Sequence, residues 1–370
     1  MLTSFYDHKL SGTWLHRFLD KLNAFCAHIF FWVLEKCGAV KYITDYKKAK
    51  FIRGRVLWEE AANRGIEMKS VILFGKEIDT YKARIHGKNI FFDSVPRPFL
   101  PKGSGLWWLD DKERLRSKLE EAGLPVPRGG SSWREGRIVD WFHEIEKPVI
   151  IKPRLGSRGR HTTTFIHTEE QVREGFRIAK QICPYVMIGE HIKGSVYRGT
   201  VIDGKLVGVL GGSPPRITGD GSQTVAQLVE IKNKNKPEGV SDVMITPAHI
   251  GFLGRQGYTL DTVLPRDVTI DVIEKIGVSY GGSSFECTDE THDDIKRVME
   301  QAAAVVKDLL VGFDFIIEDI TRAPAEQKWG IIECNSLPFL NLHHYPLIGK
   351  PNNVSKYVWD MWDEYLLRKA

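Results

Sequence analysis

The chain has 370 residues, of which 42% are hydrophobic and 27% charged, and a net charge of +5. That length exceeds one small core and predicts two or three packed lobes, while the composition excludes a disordered or low-complexity protein. The basic bias is mild, and no long basic stripe interleaved with aromatics marks a nucleic-acid site; Lys47, Lys48, Lys50, Arg53 and Arg55 read as a solvated helix face.

Trp14, Leu15, Phe18, Leu19, Leu22 and Phe25 recur at three- and four-residue steps, which predicts a helix over residues 14–35. Its apolar run, residues 25–34, contains His28 and is too short to span a bilayer. It also lies too far from a charged start, and lacks the small-residue cleavage site, for a signal peptide. A buried helix is the first reading, with peripheral membrane contact as the alternative. A second helix is expected over 51–65, ended by Gly65, followed by strand-like runs at 70–74 and 89–93. Residues 1–107 thus read as an N-terminal α/β lobe, and Pro96-Arg97-Pro98-Phe99-Leu100-Pro101 as its linker. Five scattered cysteines (Cys26, Cys37, Cys183, Cys287 and Cys334) form no C-x-x-C pair, which points to reduced thiols in a cytoplasmic protein.

Asp110, Asp111 and Lys112 open a helix carrying Leu115, Leu119 and Ala122, stopped by Gly123 and Pro125. A buried strand at 148–152 runs through a glycine-containing turn into a second at 162–166, and Thr168 with Gln171 forms a capping box. The strand at 185–190 leads to a hairpin turning at Asp203-Gly204. Thr224 to Gln227 opens a short helix, residues 233–239 read as an exposed loop, and residues 295–310 as a long amphipathic helix. A closing hairpin pairs 312–319 with 329–335.

That hairpin carries the chemistry. Alternation along a strand puts Glu333 and Asn335 on one face, and Asp314 across from them brings three hard oxygen donors together. Such donors suit Mg²⁺ bound to a nucleotide; the alternative is that Asp314 and Glu333 pair with lysines as structural salt bridges. Upstream, Lys152 leaves a buried strand beside Gly156-Ser157-Arg158-Gly159, a turn able to hold phosphates by charge and backbone N–H groups, though no Walker P-loop string occurs.

Lys112, Lys152 with its glycine loop, Glu190, and Asp314, Glu333 and Asn335 occur in the order of the ATP-grasp superfamily. Over residues 108–355 the chain resembles the ATP-grasp domain of cyanophycin synthetase, and more distantly glutathione synthetase and D-alanine–D-alanine ligase. Thr218-Gly219-Asp220-Gly221, Leu260-Asp261-Thr262-Val263, Gly281-Gly282-Ser283-Ser284, Asp289 with His292, and Asn335-Ser336-Leu337-Pro338 with His343 carry the resemblance to that subgroup. It implies an α+β ATP-grasp fold, with a central lobe at 108–188 and a C-terminal lobe holding the metal at 189–370. By the same resemblance Lys112, Lys152, Gly156, Ser157, Gly159 and Glu190 bind ATP, and Asp314, Glu333 and Asn335 bind Mg²⁺, with Mn²⁺ able to substitute. Arg198 and Arg216 neutralise the transferring phosphoryl group, the alternative for each being a salt bridge away from phosphate. The turn at Gly281, Gly282 and Ser283 supplies N–H groups to the acyl phosphate or substrate carboxylate, or is a plain turn. His343 lines the acceptor site or is structural.

The chain departs from the pattern in three places: Val196 falls where an acidic ribose ligand is expected, residues 272–275 lack a usual arginine, and Asn341 replaces another. The sequence also ends at residue 370 without the Mur-ligase-like domain of a two-step polymerase, so polymerisation of Asp and Arg is not expected. The implied activity is ATP-dependent joining of a carboxylate, from an amino acid or small peptide, to an amine through an acyl phosphate. A kinase acting on a small-molecule hydroxyl and a nucleotide-binding partner subunit remain alternatives. Small molecules are the expected partners, with no nucleic acid and no stable membrane span; a homodimer is compatible.

Overall fold

A computed structural model describes residues 29, 31–98, 108–156 and 159–367. The expected helix up to residue 28, Cys26, the Phe99-Leu100-Pro101 end of the linker, and Ser157 with Arg158 of the glycine loop lie outside the described residues. Residues 31–36 are helical. Trp32 is nonetheless 60% exposed and Val33 43%, so this turn is not the buried helix its apolar run suggested.

The N-terminal lobe comprises strand β1 (Val40–Ile43), helix α1 (Ile52–Asn63) and strands β2 (Glu67–Leu73), β3 (Lys76–Ile85) and β4 (Lys88–Asp93). The sheet order is β1-β2-β3-β4 and every pair is antiparallel, so the lobe is α+β rather than the expected α/β. Tight turns join successive strands, at Phe74-Gly75 and His86-Gly87, where all four residues have positive φ. Helix α1 lies so close to β3 that a Cβ on Gly54 would stand 1.9 Å from the Tyr81 hydroxyl.

Helix α2 (Lys112–Glu121) starts at Asp111, whose side chain accepts from the N–H groups of Glu113 and Arg114, and Gly123 ends the turn with φ 72°. Next come β5 (Gly129–Ser132), α3 (Glu135–Glu144), β6 (Val149–Pro153), β7 (Thr163–Ile166), α4 (Glu169–Lys180) and β8 (Val186–Glu190). Their four strands form the antiparallel central sheet β5-β8-β6-β7. It is backed by Ile138, Phe142, Val172 and Phe176 of α3 and α4. Helix α2 instead sends Leu115 and Leu119 into the C-terminal core, although it belongs to the central lobe by sequence order.

The C-terminal lobe begins with β9 (Ser195–Ile202) and β10 (Lys205–Ser213), joined at Asp203-Gly204 as their positive φ values require. A subdomain is inserted next: β11 (Arg216–Thr218), α5 (Val225–Lys234), α6 (Pro247–Arg255) and β12 (Thr269–Asp271), closed around Ile217, Val225, Leu253 and Leu264. Helix α6 reaches the central sheet, with Phe252 edge-on to Phe165 at 5.7 Å and Arg255 Nε donating to the Thr164 carbonyl at 3.0 Å. After it follow β13 (Ser283–Glu286), α7 (Asp293–Val306), β14 (Leu310–Ile317) and β15 (Gly330–Asn335), then α8 (Leu340–His344) and α9 (Ser355–Leu367). Helix α7 stops short of the expected residue 310 because Lys307 turns left-handed, with φ 56°. The sheet order is β13-β10-β9-β14-β15, antiparallel throughout, with α7 against it through Met299, Ala302 and Val306.

The N-terminal lobe is not loosely tethered. One core joins Val56, Leu57, Trp58 and Tyr81 to Ile202, Leu310, Val358 and Trp359, and the Trp359 indole donates to the Leu57 carbonyl at 2.9 Å. Arg97, in the expected linker, grips buried Asp308 at 2.8 and 3.0 Å. Between the central and C-terminal sheets runs a cleft of about 1880 Å³.

Candidate functional site

The C-terminal sheet aligns three charged side chains in one row. Arg198 on β9 is the register partner of Asp314 on β14, which in turn faces Glu333 on β15. Residues directly opposite in an antiparallel pair project to the same side, so all three point into the cleft they line. A bulge beside this row, where Phe315 pairs with Ile331, leaves Ile332 as the extra residue on β15. Asn335, two residues beyond Glu333, shares its face and lies 3.3 Å from Asp314 through its amide nitrogen. Asp314, Glu333 and Asn335 thus lie together at the cleft, with the amide nitrogen rather than the amide oxygen of Asn335 turned toward Asp314.

The expected alternative partners are only half right. Arg198, not a lysine, holds both oxygens of Asp314, at 2.6 and 2.7 Å. Glu333 has Lys112 Nζ at 3.6 Å. Burial pushes the Glu333 carboxyl up from its ordinary value, Lys112 pulls it back, and Asp314 pushes it further up. Two acids facing each other in a partly buried cleft need positive charge, and two carboxylates with an amide oxygen are hard donors. This set fits a divalent cation accompanied by phosphate. Among the described residues no group of three or more His, Cys, Asp or Glu side chains is arranged for a metal, and here the third donor is an amide.

Lys112 and Lys152 flank the acids. Lys112, 8% exposed, donates to the Gly156 carbonyl at 2.5 Å, and its backbone N–H bonds Arg154. Arg154 in turn forks onto the cap residue Asp111 at 2.7 and 2.8 Å, which fixes the start of α2 to the glycine loop. Gly156 and Gly159 both have positive φ (132° and 60°) and line the cleft. Burial, then the neighbouring Lys112, pushes the Lys152 ammonium down to about 8. Glu190 ends β8 at the cleft and accepts from the Arg128 N–H at 3.2 Å. Val196 lines the cleft as well.

The remaining expected residues divide. Arg216 sits at the rim on β11, 43% exposed and bonded to Asp271 at 2.8 Å. Ser283 lines the cleft beside Ser213, 2.6 Å between hydroxyls. The N–H groups of Gly281 and Gly282, however, bond the carbonyls of Val278 and Gly277 within their own turn, so they do not offer the donors expected of them. His343 is fully buried: Nδ1 meets Glu286 at 2.5 Å and Nε2 meets Thr200 at 2.9 Å. It belongs to the structural alternative, and its side chain does not line an acceptor site. Phe339 escaped the sequence reading. Its ring lies at the cleft between the Arg198 guanidinium, at 5.4 Å, and that of Arg53, at 4.9 Å. A lone aromatic after Leu337-Pro338 carries no sequence signal for such stacking.

Known proteins resemble the chain as follows. It is 30% identical over 267 residues to cyanophycin synthetase of Synechocystis sp., covering 68% of this chain and 30% of that one. It is 26% identical over 336 residues to the glutathione biosynthesis bifunctional protein of Desulfotalea psychrophila, covering 88% and 43%. The chain thus spans less than half the length of these relatives. Among solved structures, the bifunctional glutathione synthetase from Pasteurella multocida superposes with a TM-score of 0.56 at 22% identity, covering 84% of this chain and 44% of that one. No protein-family profile matches the chain.

Proposed function

We propose that this chain, an ATP-grasp protein related to the cyanophycin synthetases and the bifunctional glutathione synthetases, is a ligase that joins a carboxylate to an amine at the expense of ATP. The observation that carries this reading is the row Arg198–Asp314–Glu333 with Lys112 beside it in one cleft. Cations and acids so interleaved match a triphosphate bound with a divalent metal. Phosphoryl transfer asks the protein chiefly for positioning and charge neutralisation.

In this mechanism a substrate carboxylate oxygen attacks the γ-phosphorus, the bond to the β-phosphate oxygen breaks, and ADP departs. An amine then attacks the carbonyl carbon of the acyl phosphate, phosphate leaves, the nitrogen loses a proton to solvent, and an amide remains. Lys112 and Lys152 hold phosphate oxygens, Glu190 stands beside the base, and Arg198 meets the charge of the transferring group, with Arg216 at the rim. Asp314, Glu333 and Asn335 would hold Mg²⁺ or Mn²⁺, which supplies charge neutralisation at the phosphates. Gly156 and Gly159, which line the cleft, cover the nucleotide and keep water from the acyl phosphate. Ser283 faces the substrate carboxylate. An amino acid or small peptide is the substrate class this reading favours. A cytoplasmic setting fits Cys37, Cys183, Cys287 and Cys334, all free thiols, and no helix among the described residues is long and apolar enough to cross a membrane.

The test is ADP release with MgATP against amino acids and dipeptides, with hydroxylamine added in parallel. A ligase needs both a carboxylate and an amine, and hydroxylamine captures its intermediate as a hydroxamate. A stable phosphorylated acceptor would make the chain a kinase instead, and nucleotide binding without turnover would make it a binding subunit.

A further inference from the structure

The outer face of the N-terminal lobe carries apolar side chains that the fold leaves in water. Strand alternation divides the β1–β4 sheet into two faces. Tyr81, Ala83 and Ile85 of β3 are buried in the core shared with Val56 of α1 and Trp359 of α9. Lys82, between them, points to the opposite face, together with its register partners Lys69 and Phe91. The helical turn at 31–36 lies against this outer face. Phe31 stacks on Phe91 at 4.8 Å, and the Tyr42 hydroxyl donates to Glu35 at 3.3 Å.

The rest of that turn faces solvent. Ile29, Trp32 and Val33 stand at helical steps of three and four, and all three are exposed. Beside them the β2–β3 turn presents Phe74, 74% exposed, and its N–H donates to the Ala39 carbonyl just beyond the helix at 2.9 Å. Phe74 has φ 48°, a conformation that turns of this kind give to Asn or Gly and that disfavours a bulky side chain. An aromatic ring held in water on a strained backbone costs stability twice, and a partner that buries the ring offsets that cost.

The surrounding charge has one sign. Lys36 lies one helical turn after Val33, Lys41 two residues after Ala39 and Lys76 two residues after Phe74, and all three are exposed. Glu35, the acid of the helical turn, is engaged by Tyr42. Residues 31–98 hold fourteen Lys and Arg against eight Asp and Glu, in a chain whose net charge is +5, so this lobe concentrates the positive charge of the molecule. Ile29 and Val33 have neither a π face nor a hydrogen-bonding group to offer a base, so a nucleic acid would leave them in water. A second copy docked about a two-fold axis would bring like-charged lysines together. A bilayer surface satisfies every part of the patch: Trp and Phe rings settle at headgroup depth, aliphatic side chains enter below them, and lysines meet lipid phosphates.

We propose that this face docks on the surface of an anionic lipid bilayer through Ile29, Trp32, Val33 and Phe74, with Lys36, Lys41 and Lys76 on the lipid phosphates. In the sequence the same three- and four-residue steps run back through Phe25, Leu22, Phe18 and Trp14, outside the described residues. The apolar run too short to span a bilayer is thus suited to lie on one. None of the seven docking residues lines the cleft, so a docked chain keeps its candidate site open to solution.

Vesicle sedimentation of the full chain tests the proposal. Vesicles of phosphatidylcholine with about 30% phosphatidylglycerol capture the protein, phosphatidylcholine alone captures it about tenfold or more weakly, and raising salt from about 0.1 to 0.5 M releases it. Trp32→Ser with Phe74→Ser weakens capture by about tenfold or more through lost apolar burial. Lys41→Glu with Lys76→Glu does so by about tenfold or more on the anionic vesicles. Affinity for MgATP equal to the parent's reports that both double variants are folded. The proposal is overturned if anionic vesicles leave the full chain in the supernatant, or if either double variant binds them like the parent. It is equally overturned if Trp32→Ser with Phe74→Ser instead splits a dimer that ignores vesicles, which would make the face a contact between two copies.

Discussion

Arg198 and Asp314 are register partners across β9 and β14, and the guanidinium fork holds both carboxylate oxygens at 2.6 and 2.7 Å. The pair sits where the proposed metal and the transferring phosphoryl group meet. A cation approaching Asp314 in the absence of nucleotide therefore encounters a positive charge already docked there. Replacing Arg198 by Ala removes this competitor. Mn²⁺ titrated without nucleotide should bind Arg198→Ala about tenfold or more tightly than the parent, since a unit charge a few ångströms away is worth several kcal/mol at a partly buried site. The same variant should lose about 10²- to 10³-fold in ADP formation, because the fork no longer meets transition-state charge. Equal Mn²⁺ affinity in the two proteins would mean that the pair does not gate the metal.

Glu333 separates catalysis from stability. Its carboxyl is raised by burial and by Asp314, so the ionised form is held at a cost that folding must offset. Glu333→Gln removes that charge without changing the shape. The expected outcome is a melting temperature equal to or above the parent's, with ADP formation reduced about 100-fold or more through loss of metal charge at the phosphates. Asp314→Asn should lower ADP formation similarly while destabilising the fold, because it leaves Arg198 without its counter-charge. Unimpaired ADP formation in both variants would remove Asp314 and Glu333 from the metal site.

What the sequence revealed was local. Period-two alternation put Glu333 and Asn335 on one face, Asp111 announced the start of α2, Thr168-Gln171 announced a capping box, and Thr224 announced the start of α5, all of which the structure contains. Strand β3 was illegible because Lys76, Glu77, Asp79, Lys82 and Arg84 give it a polar reading, although its Tyr81, Ala83 and Ile85 are buried. The partners of His343 were equally hidden. Glu286 and Thr200 lie 57 and 143 residues away, and only the folded sheet brings them to its ring. The Gly281-Gly282 turn misled for a related reason: a sequence cannot tell a free N–H group from one already bonded within its turn. Arg198 drew notice as a phosphate ligand, yet its grip on Asp314 follows from strand register, which no spacing encodes.

Lys152 should impose a pH dependence on nucleotide binding. Burial and Lys112 bring its ammonium down to about 8 in the free protein. Phosphates bind the protonated form, so affinity for MgATP should be level below about pH 8 and weaken above it, by up to about tenfold per unit. Lys152→Met carries no proton to lose. It should bind more weakly below pH 8, and its profile should be flat where the parent's falls. Calorimetric Kd values from pH 7 to 9.5 provide the check, and parallel profiles would exclude Lys152 as the titrating group.

His344 predicts the acid limit of the fold. Burial first, and then His343, pushes its pKa down to about 4, while Glu60 acts in the opposite direction. Its neutral Nε2 is positioned to accept from the Ser355 N–H, at 3.5 Å, beside the start of α9. In the unfolded chain a histidine takes its proton near 6.5. Between pH 6.5 and 4 the unfolded state therefore binds one more proton than the folded state, and stability falls as pH drops through that window. The loss attributable to this ring grows as pH falls through that window and is absent above about pH 6.5. His344→Gln keeps an acceptor for Ser355 without a titrating ring, so its urea midpoint should fall less than the parent's between pH 7 and 4.5. Equal falls in the two proteins would assign the acid sensitivity to other groups.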